Sequence, residues 1–306
     1  MEYSYEREFE IRSVEEYLEA IHKINDSRLG KFYYRGHSKK EYKLLPYIGR
    51  PIKNDKPELY LPLEKEIVSE ALLKYTNVFS NYTNNIELLT QLQHYGVPTR
   101  LMDVTANPLV ALFFACSSNQ NKNAEVIVFK MYAMSHYDYI AIEALASIGF
   151  KYHNYPLDVD EYLEESGIKR EASVNMHTSS YDRIKMIAQN PVLIKSKSFF
   201  ERQKAQSGYY ILFFNSIKNG EHPINSGFGR QNGYYFEEKI NEIDKENSAI
   251  VWNVINIPSS CKEEICSQLK VLNIDVSTLF PEDIDRGCKM LVDDICNRRL
   301  KEIITV

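Results

Sequence analysis

The 306-residue chain lacks the features that mark several large classes of protein. It has 12 glycines and 11 prolines, too few for a collagen-like or linker-rich chain. Its longest apolar run, from Leu109 to Cys116, is far shorter than the roughly 20 residues that a membrane-spanning helix needs. An excess of basic residues is also missing, because 37 basic residues face 42 acidic ones for a net charge of −5. That balance argues against a nucleic-acid coat protein or a membrane-surface protein.

Cysteine is scarce and carries no recognisable metal-binding pattern. The five cysteines form no Cys-x-x-Cys pair, so the spacing of a zinc ribbon is absent and we predict no metal site. The first residues, MEYSYEREFEIRSVEEY, are charged and lack the apolar stretch of a secretory signal. An odd cysteine count without an export signal predicts reduced thiols. We therefore expect a cytoplasmic protein with no membrane partner.

The composition instead indicates a folded protein with a sizeable core. Apolar residues make up 44% of the chain and charged residues 26%, as in ordinary globular proteins. Hydrophobic periodicity predicts helices over 14–24, 63–75, 86–95, 107–115, 260–272 and 281–300, with shorter helical pieces at 140–146 and 181–189. Runs rich in β-branched and aromatic residues predict strands over 32–34, 125–131, 209–214 and 249–257.

These elements predict an α+β fold, in which a mixed sheet of short strands packs against helices. We find no internal repeat and no break in composition, so the chain is predicted to form a single domain over 1–306. The stretch at about 133–198 lacks a strong pattern and is interpreted as an inserted middle lobe.

The densest group of polar residues lies at the junction between the predicted helices at 86–95 and 107–115. The second of these helices is almost wholly apolar. The group contains Gln93, His94, Thr99, Arg100, Asp103, Thr105 and Asn107. An apolar helix is usually buried, so these polar groups must fold against the core and find partners there. Two interpretations stay open: a structural network in which Asp103 caps the helix and pairs with Arg100, or a binding site. For His94 we favour the structural role.

Two further groups flank predicted strands. Arg35 ends the strand at 32–34, where a guanidinium can bind an anion with two hydrogen bonds, and Gly36 lets a backbone approach a ligand closely. Gln206 precedes the strand at 209–214, a place where side chains are held rigidly. A similar string at 230–236 offers a second candidate for this position. We prefer Gln206 because the stronger strand follows it.

Taken in order, these groups resemble the signatures of the FRG-domain family of bacterial and phage-related proteins. The family is named for a Phe-Arg-Gly triplet, which here reads Tyr34-Arg35-Gly36. Its longest signature, QHYGxPTRLLDxTxNPxVALFFA, matches from Gln93 to Ala115, with Met102 where leucine is usual. Shorter signatures match at Leu44, Pro46 and Arg50, at Arg202, Ala205, Gln206, Gly208 and Tyr210, at Pro258, and at Leu279-Phe280-Pro281. The resemblance implies a place in bacterial toxin or phage-defence systems, with an antitoxin or defence partner, and brings no settled activity.

A weaker likeness is to ADP-ribosyltransferases. These enzymes use an arginine or histidine on one strand, a strand-to-helix motif, and a glutamine or glutamate at a strand start. Arg35, Thr105 and Gln206 fall in that order and in those local contexts. The likeness implies an ADP-ribosyltransferase-like core, NAD as a substrate, and catalytic roles for these three residues. Arg35 would hold the pyrophosphate or ribose, Thr105 the nicotinamide side, and Gln206 the ribose 2′-hydroxyl. The cofactor-binding set is expected to comprise Arg35, Gly36, His94, Tyr95, Arg100 and Asp103.

Three hypotheses for function follow. The leading one is an enzyme that transfers ADP-ribose to a macromolecule, either protein or nucleic acid. The second is a nuclease or other phosphate-ester hydrolase, with Arg35 and Arg100 on phosphate and His94 as general base. It has less support, since no carboxylate cluster for Mg²⁺ is visible and the P-loop, H-E-x-x-H and G-x-S-x-G motifs are absent. The third is a non-catalytic nucleotide-sensing or partner-binding module.

Overall fold

The computed structural model describes residues 8–25, 31–52, 59–79, 82–131, 136–151, 154–167, 187–195, 200–223, 230–246 and 249–281. Its helices are α1 (Val14–Asn25), α2 (Glu64–Lys74), α3 (Thr76–Phe79), α4 (Asn85–His94), α5 (Pro108–Cys116), α6 (His136–Ala146), α7 (Ile148–Lys151), α8 (Val159–Glu165), α9 (Glu201–Ala205), α10 (Lys262–Val271) and α11 (Val276–Leu279). Its strands are β1 (Glu8–Glu10), β2 (Lys31–His37), β3 (Leu101–Thr105), β4 (Ala124–Met131), β5 (Leu157–Asp158), β6 (Val192–Ile194), β7 (Gly208–Leu212), β8 (Asn215–Pro223), β9 (Arg230–Ile240) and β10 (Val251–Ile257). Short 3₁₀ helices lie at Tyr47–Gly49, Leu61–Leu63 and Ser259–Cys261.

Seven of the described strands form one mixed sheet in the order β1-β10-β4-β2-β3-β7-β6. Strand β1 runs parallel to β10, and the other neighbours in this sheet are antiparallel. Strands β5, β9 and β8 form a small antiparallel sheet in that order. Helices combined with a mixed sheet make the fold α+β, as the sequence predicts.

Side-chain alternation along β2 and β4 divides the core between the two faces of the main sheet. Tyr34 and Val128 pack with residues of α1, α5 and α10 on one face. Tyr33 and Phe129 pack on the other face, together with Ile48 of the 3₁₀ helix at Tyr47–Gly49. A further cluster joins α4, α6 and α8 to β7. The centre of the sheet is therefore covered on both sides.

Helix α5 approaches the sheet most closely at Gly36 of β2. A Cβ atom there would lie 2.0 Å from the carbonyl oxygen of Ala111 and 2.6 Å from the amide nitrogen of Ala115. Both are backbone atoms of a buried helix, which cannot move aside without disturbing the core around it. Glycine is therefore required for the packing of α5 on β2. This is a different reason from the close approach of a ligand that the sequence suggested.

The stretch predicted as an inserted lobe, about 133–198, packs into the same core where it is described. Its strand β6 extends the main sheet beside β7, and its strand β5 pairs with β9 of the small sheet. Leu145 of α6 and Tyr162 of α8 share a buried cluster with Leu212 of β7. The described part of this stretch thus completes both sheets.

Most of the predicted elements are present, with small shifts at their ends. Helices α1, α2, α4 and α5 begin and end within one residue of the predicted bounds. Strand β3, the hairpin of β8 and β9, and the short strands β1, β5 and β6 were not predicted from the sequence. The predicted helix at 281–300 and most of the one at 181–189 lie outside the described residues. Within the described ranges, no helix has the length and apolar character required to cross a membrane.

Candidate functional site

A cavity of about 780 Å³ lies beside the main sheet, with residues of β2, β3 and β7 in its wall. Among the predicted site residues, its lining includes Arg35, Gly36, His94, Asp103, Thr105 and Gln206. It also includes residues that we did not predict as binding residues, namely His37, Arg50, Gln93, Arg202 and Gln203. The volume is in the range of sites that take cofactor-sized ligands.

The strand register explains why distant segments meet at this cavity. Tyr34 of β2 pairs with Thr105 of β3, and Thr105 pairs with Gly208 at the start of β7. Arg35 follows Tyr34 directly, and Gln206 lies two residues before Gly208. The strand order β2-β3-β7 therefore brings the three predicted catalytic residues into one region of the sheet.

Arg35 is held at the cavity wall by two hydrogen bonds. Its Nη1 donates to the backbone carbonyl oxygen of Asp103 at 2.6 Å, and its Nε donates to Nε2 of His37 at 3.1 Å. Burial lowers the pKa of Arg35 to about 10, although the Asp103 carboxylate raises it and the Arg50 charge lowers it further. The guanidinium therefore stays cationic at neutral pH. Its Nη2 makes no hydrogen bond to the part of the chain that the structure describes.

A second guanidinium, that of Arg50, lines the same cavity. Its Nε and Nη2 donate to the carbonyl oxygen of Leu45 at 3.2 and 3.0 Å, and its Cζ lies 5.9 Å from the ring centre of Tyr47. Burial lowers the pKa of Arg50, while the Asp103 carboxylate raises it. The lining also contains Lys43 and Arg202, against the carboxylates of Asp103 and Glu41. Cationic side chains therefore outnumber anionic ones in the wall, which favours a phosphate-bearing ligand.

A buried chain of hydrogen bonds, which was not predicted from the sequence, begins at Arg35. Because Nε2 of His37 accepts from Arg35, its Nδ1 must carry the proton, which it donates to Oε1 of Glu125 at 3.0 Å. Lys245 donates to the same Glu125 oxygen. His37 is 3% exposed and Glu125 1%. These contacts fix the orientation of the Arg35 guanidinium.

The buried imidazole predicts a pH dependence of stability. Burial lowers the pKa of His37 from 6.5 to about 4, with the Glu125 hydrogen bond raising it and the Arg35 charge lowering it. The unfolded chain takes up this proton near pH 6.5 and the folded chain only near pH 4, so stability is lost as the pH falls through that interval. The linked loss is about 3 kcal/mol. We expect urea unfolding of His37→Asn to show a shallower pH dependence across this interval than the wild type. Equal slopes would contradict the buried neutral imidazole.

Asp103 is bound to Gln93 and not to Arg100. Nε2 of Gln93 donates to Oδ2 of Asp103 at 3.0 Å, and Oε1 of Gln93 accepts from the Thr99 hydroxyl at 2.7 Å. The N-terminus of α5 is capped by Asn107, whose Oδ1 accepts from a backbone amide of the first turn at 3.0 Å. The interpretation of Asp103 as helix cap and partner of Arg100 is therefore wrong. Its carboxylate is exposed and lines the cavity.

Thr105 and Gln206 are joined to each other through the backbone. Oγ1 of Thr105 donates to the carbonyl oxygen of Gln206 at 2.6 Å and accepts from the amide of Asn107 at 2.9 Å. Nε2 of Gln206 donates to the carbonyl oxygen of Leu279 at 3.0 Å. The Thr105 hydroxyl is thus committed to backbone groups. The amide oxygen of Gln206 accepts no hydrogen bond from the described residues and stays available to a ligand.

The structure does not bring Arg100 to the cavity. Its side chain is 0% exposed, and it donates from Nε to Oε1 and from Nη2 to Oε2 of Glu64, at 2.7 and 2.6 Å. Its Nη1 donates to Oδ1 of Asn215 at 2.6 Å. Arg100 therefore joins α2 to the start of β8. It is a structural residue of the core, which corrects its place in the expected cofactor-binding set.

Tyr95 is not part of the cavity lining either. It is 57% exposed and makes edge contacts with the rings of Phe79 and His94. His94 does line the cavity, and its ring stacks on that of Phe200 with 3.5 Å between ring centres and 9° between planes. The His94 ring is therefore held by aromatic neighbours at the cavity wall.

Comparison with known families bears on these motifs directly. Residues 30–124 match the family model described as the FRG domain. The chain contains an FRG domain. The matched segment includes β2, β3 and α5, so the FRG domain supplies Arg35, Asp103 and Thr105 to the cavity. No curated protein and no solved structure matches the chain.

The FRG domain forms only part of the cavity wall. Arg202, Gln203, Gln206 and Tyr209 line the cavity from a segment beyond the matched residues. Among the described side chains, no group of three or more His, Cys, Asp and Glu is placed to hold a metal ion. The likeness to ADP-ribosyltransferases is not tested by the comparisons and stays a prediction.

Proposed function

We propose that this FRG-domain protein is a NAD-dependent ADP-ribosyltransferase-like enzyme that modifies a macromolecule, either a protein or a nucleic acid. The observation that supports this most is the convergence of Arg35, Thr105 and Gln206 on one cavity from three separate segments. The strand register that brings them together places an arginine, a buried hydroxyl and an amide around space large enough for a dinucleotide.

In this proposal the two arginines bind the pyrophosphate of NAD. Arg35 offers Nη2, and Arg50 adds a second positive charge on the same wall. His37 and the Asp103 carbonyl hold the Arg35 guanidinium in place before a ligand arrives. The guanidinium is therefore already ordered before NAD binds. Binding then costs little conformational entropy at this side chain, which favours affinity.

The chemical step would occur at C1′ of the nicotinamide ribose. The bond from C1′ to the nicotinamide nitrogen breaks, nicotinamide leaves with the electron pair, and a nucleophilic atom of the acceptor bonds to C1′ and gives its proton to solvent. The amide oxygen of Gln206 accepts a hydrogen bond from the 2′-hydroxyl beside the developing positive charge. A neutral amide stabilises that charge less than a carboxylate would. The rate of the transfer step therefore depends more on how the protein positions NAD and the acceptor.

A nucleotide-sensing module without turnover is the second candidate, because one observation favours it. The Thr105 hydroxyl and Nε2 of Gln206 both donate to backbone carbonyls, so neither is held ready for a reacting group. Such a module would bind NAD or ADP-ribose without releasing nicotinamide. The phosphate-ester hydrolase hypothesis loses Arg100 as a phosphate ligand, since Arg100 lies in the core, and keeps Arg35.

Arg35→Ala is expected to abolish nucleotide binding while the protein stays folded. At a concentration one hundred times the dissociation constant, NAD or ADP-ribose should stabilise the wild type by about 2.7 kcal/mol, which is seen as a rise in melting temperature. The variant loses the guanidinium that faces the phosphates and should show no rise. The control is Arg12→Ala, because Arg12 is an exposed arginine paired with Glu10. It should respond to NAD as the wild type does.

Release of nicotinamide and transfer of labelled ADP-ribose to lysate macromolecules then separate the candidates. Release and transfer by the wild type, lost in Arg35→Ala, support the transferase. Binding without release favours the sensing module, and no binding by the wild type contradicts both. Growth arrest of bacteria that express the wild type, but not Arg35→Ala, would support the toxin or defence role that the family resemblance implies.

A further inference from the structure

One polar side chain in the cavity wall, that of Gln203, has no hydrogen-bond partner among the residues that the structure describes. Gln203 lies on α9 and is 8% exposed. Neither its amide nitrogen nor its amide oxygen makes a hydrogen bond to the described residues. Buried amides are almost always paired, so an orphaned one in a cavity wall calls for an explanation.

An apolar side chain at position 203 would make the protein without ligand more stable than the glutamine does. The Cγ of Gln203 packs closely on Gly208, where an added Cβ would lie 3.0 Å from it. A methionine has a similar shape and would fill this space with no polar atoms to desolvate. The glutamine amide therefore lowers the stability of the free protein, which is a frequent property of binding residues.

We propose that Gln203 is a ligand-binding residue that pairs with the polar edge of a planar group of the nucleotide. A glutamine amide presents a donor beside an acceptor. This pattern complements adenine, and equally the carboxamide of nicotinamide. No hydrogen bond holds the amide in its present orientation, so it loses none when it turns toward the ligand. The inference rests on the proposed binding of NAD and adds the residue that recognises the ring end of that ligand.

Gln203→Met separates this role from a structural one, because it should change stability and affinity in opposite directions. Without ligand, the variant should melt at a higher temperature than the wild type. Its affinity for the ligand that Gln203 contacts should fall at least tenfold by titration calorimetry. Lys204→Met is the matched control on the same helix, since Lys204 is exposed and pairs only with Glu201 among the contacts of the described residues. It should bind as the wild type does.

Two ligands identify the group that is recognised. ADP-ribose carries adenine without nicotinamide, and nicotinamide mononucleotide carries the carboxamide without adenine. A loss confined to ADP-ribose assigns Gln203 to adenine, and a loss confined to the mononucleotide assigns it to the carboxamide. Gln203→Leu should repeat the pattern if the methionine variant packs poorly.

Two results would overturn the inference, and they differ in what they leave standing. Unchanged affinity of Gln203→Met for NAD and for both fragments would make Gln203 a structural residue while the proposed function stands. Failure of the wild type to bind NAD or either fragment would remove the proposed function and this inference together.

Discussion

Arg100→Ala is expected to lower the free energy of unfolding by about 3–5 kcal/mol, the range for removing one partner of a buried ion pair. Glu64 is 2% exposed and would keep a carboxylate without its cation. The amide oxygen of Asn215 would lose its shorter hydrogen bond and keep only the one from the Tyr155 hydroxyl at 3.5 Å. Chemical denaturation followed by circular dichroism measures the change.

The loss is large because the Glu64 carboxylate is enclosed. A Cβ on Gly149 of α7 would lie 2.0 Å from Oε2 of Glu64, so backbone packs directly against the charged group. The α7 backbone shields this side of the carboxylate from water whether or not the guanidinium is present. The desolvation penalty of the carboxylate therefore remains when its partner is removed.

Two controls test this explanation. In the double variant Glu64→Met/Arg100→Met, apolar side chains replace both charges, and such replacements are often neutral or stabilising. Arg100→Met leaves the Glu64 carboxylate without its cation, as Arg100→Ala does, and should also lose stability. The double variant should recover most of that loss. Arg100 also lies outside the cavity, so folded Arg100→Met should bind NAD as the wild type does. A stable Arg100→Ala protein that fails to bind nucleotide would mean that Arg100 takes part in binding, which would contradict its place in the core.

The region around α5 could be predicted because its signals are local. A capping Asn107, a proline in the first turn and an apolar run specify the helix, and α5 begins at Pro108 as a result. The gathering of Arg35, Thr105 and Gln206 was implied by the likeness of their order and local contexts to those of ADP-ribosyltransferases. The strand register accounts for that gathering in physical terms, since Thr105 pairs with both neighbouring strands.

The charged partners could not be predicted, because they depend on distances that only the fold sets. Arg100 binds a carboxylate 36 residues earlier in the chain, and His37 binds one 88 residues later. Each arginine or histidine had several carboxylates available in the sequence, and nothing local distinguished the right one. Arg100 therefore resembled a ligand residue in the sequence and is a core residue in the fold.

The missed strands have a different cause. Strand β3 reads LMDVT, with Asp103 at its centre, and β8 reads NSIKNGEHP, with glycine inside and proline at its end. Such residues are depleted in strands, so propensity argues against them. Pairing with β7 and β9 decides the outcome instead, because the backbone groups of β3 and β8 are satisfied by those neighbours.

Lys262→Met is expected to lower the free energy of unfolding by about 3 kcal/mol, since hydrogen bonds to a charged group contribute about 1.5–3 kcal/mol each and partly compensate for its desolvation. The Lys262 side chain is 0% exposed. Its ammonium nitrogen lies within hydrogen-bond distance of the carbonyl oxygens of Ser118 at 2.6 Å, Asn119 at 2.9 Å, Ser38 at 3.1 Å and Lys122 at 3.4 Å. Its three N–H groups can donate to three of these oxygens at once. Methionine fills the same space and removes the ammonium from all four carbonyls, of which that of Asn119 still accepts from the Lys122 amide at 3.0 Å. Thermal and urea unfolding measure the change.

The matched control is Lys270→Met, at the exposed end of α10, which should change stability by no more than about 0.5 kcal/mol. Equal stability of the two variants would mean that water satisfies the carbonyls and that the ammonium is dispensable. Ser38, Ser118 and Asn119 lie inside the matched FRG segment, whereas Lys262 lies well beyond it. A loss confined to Lys262→Met would therefore mean that the FRG domain depends for its stability on α10. A fragment ending at residue 124 should then fail to fold on its own.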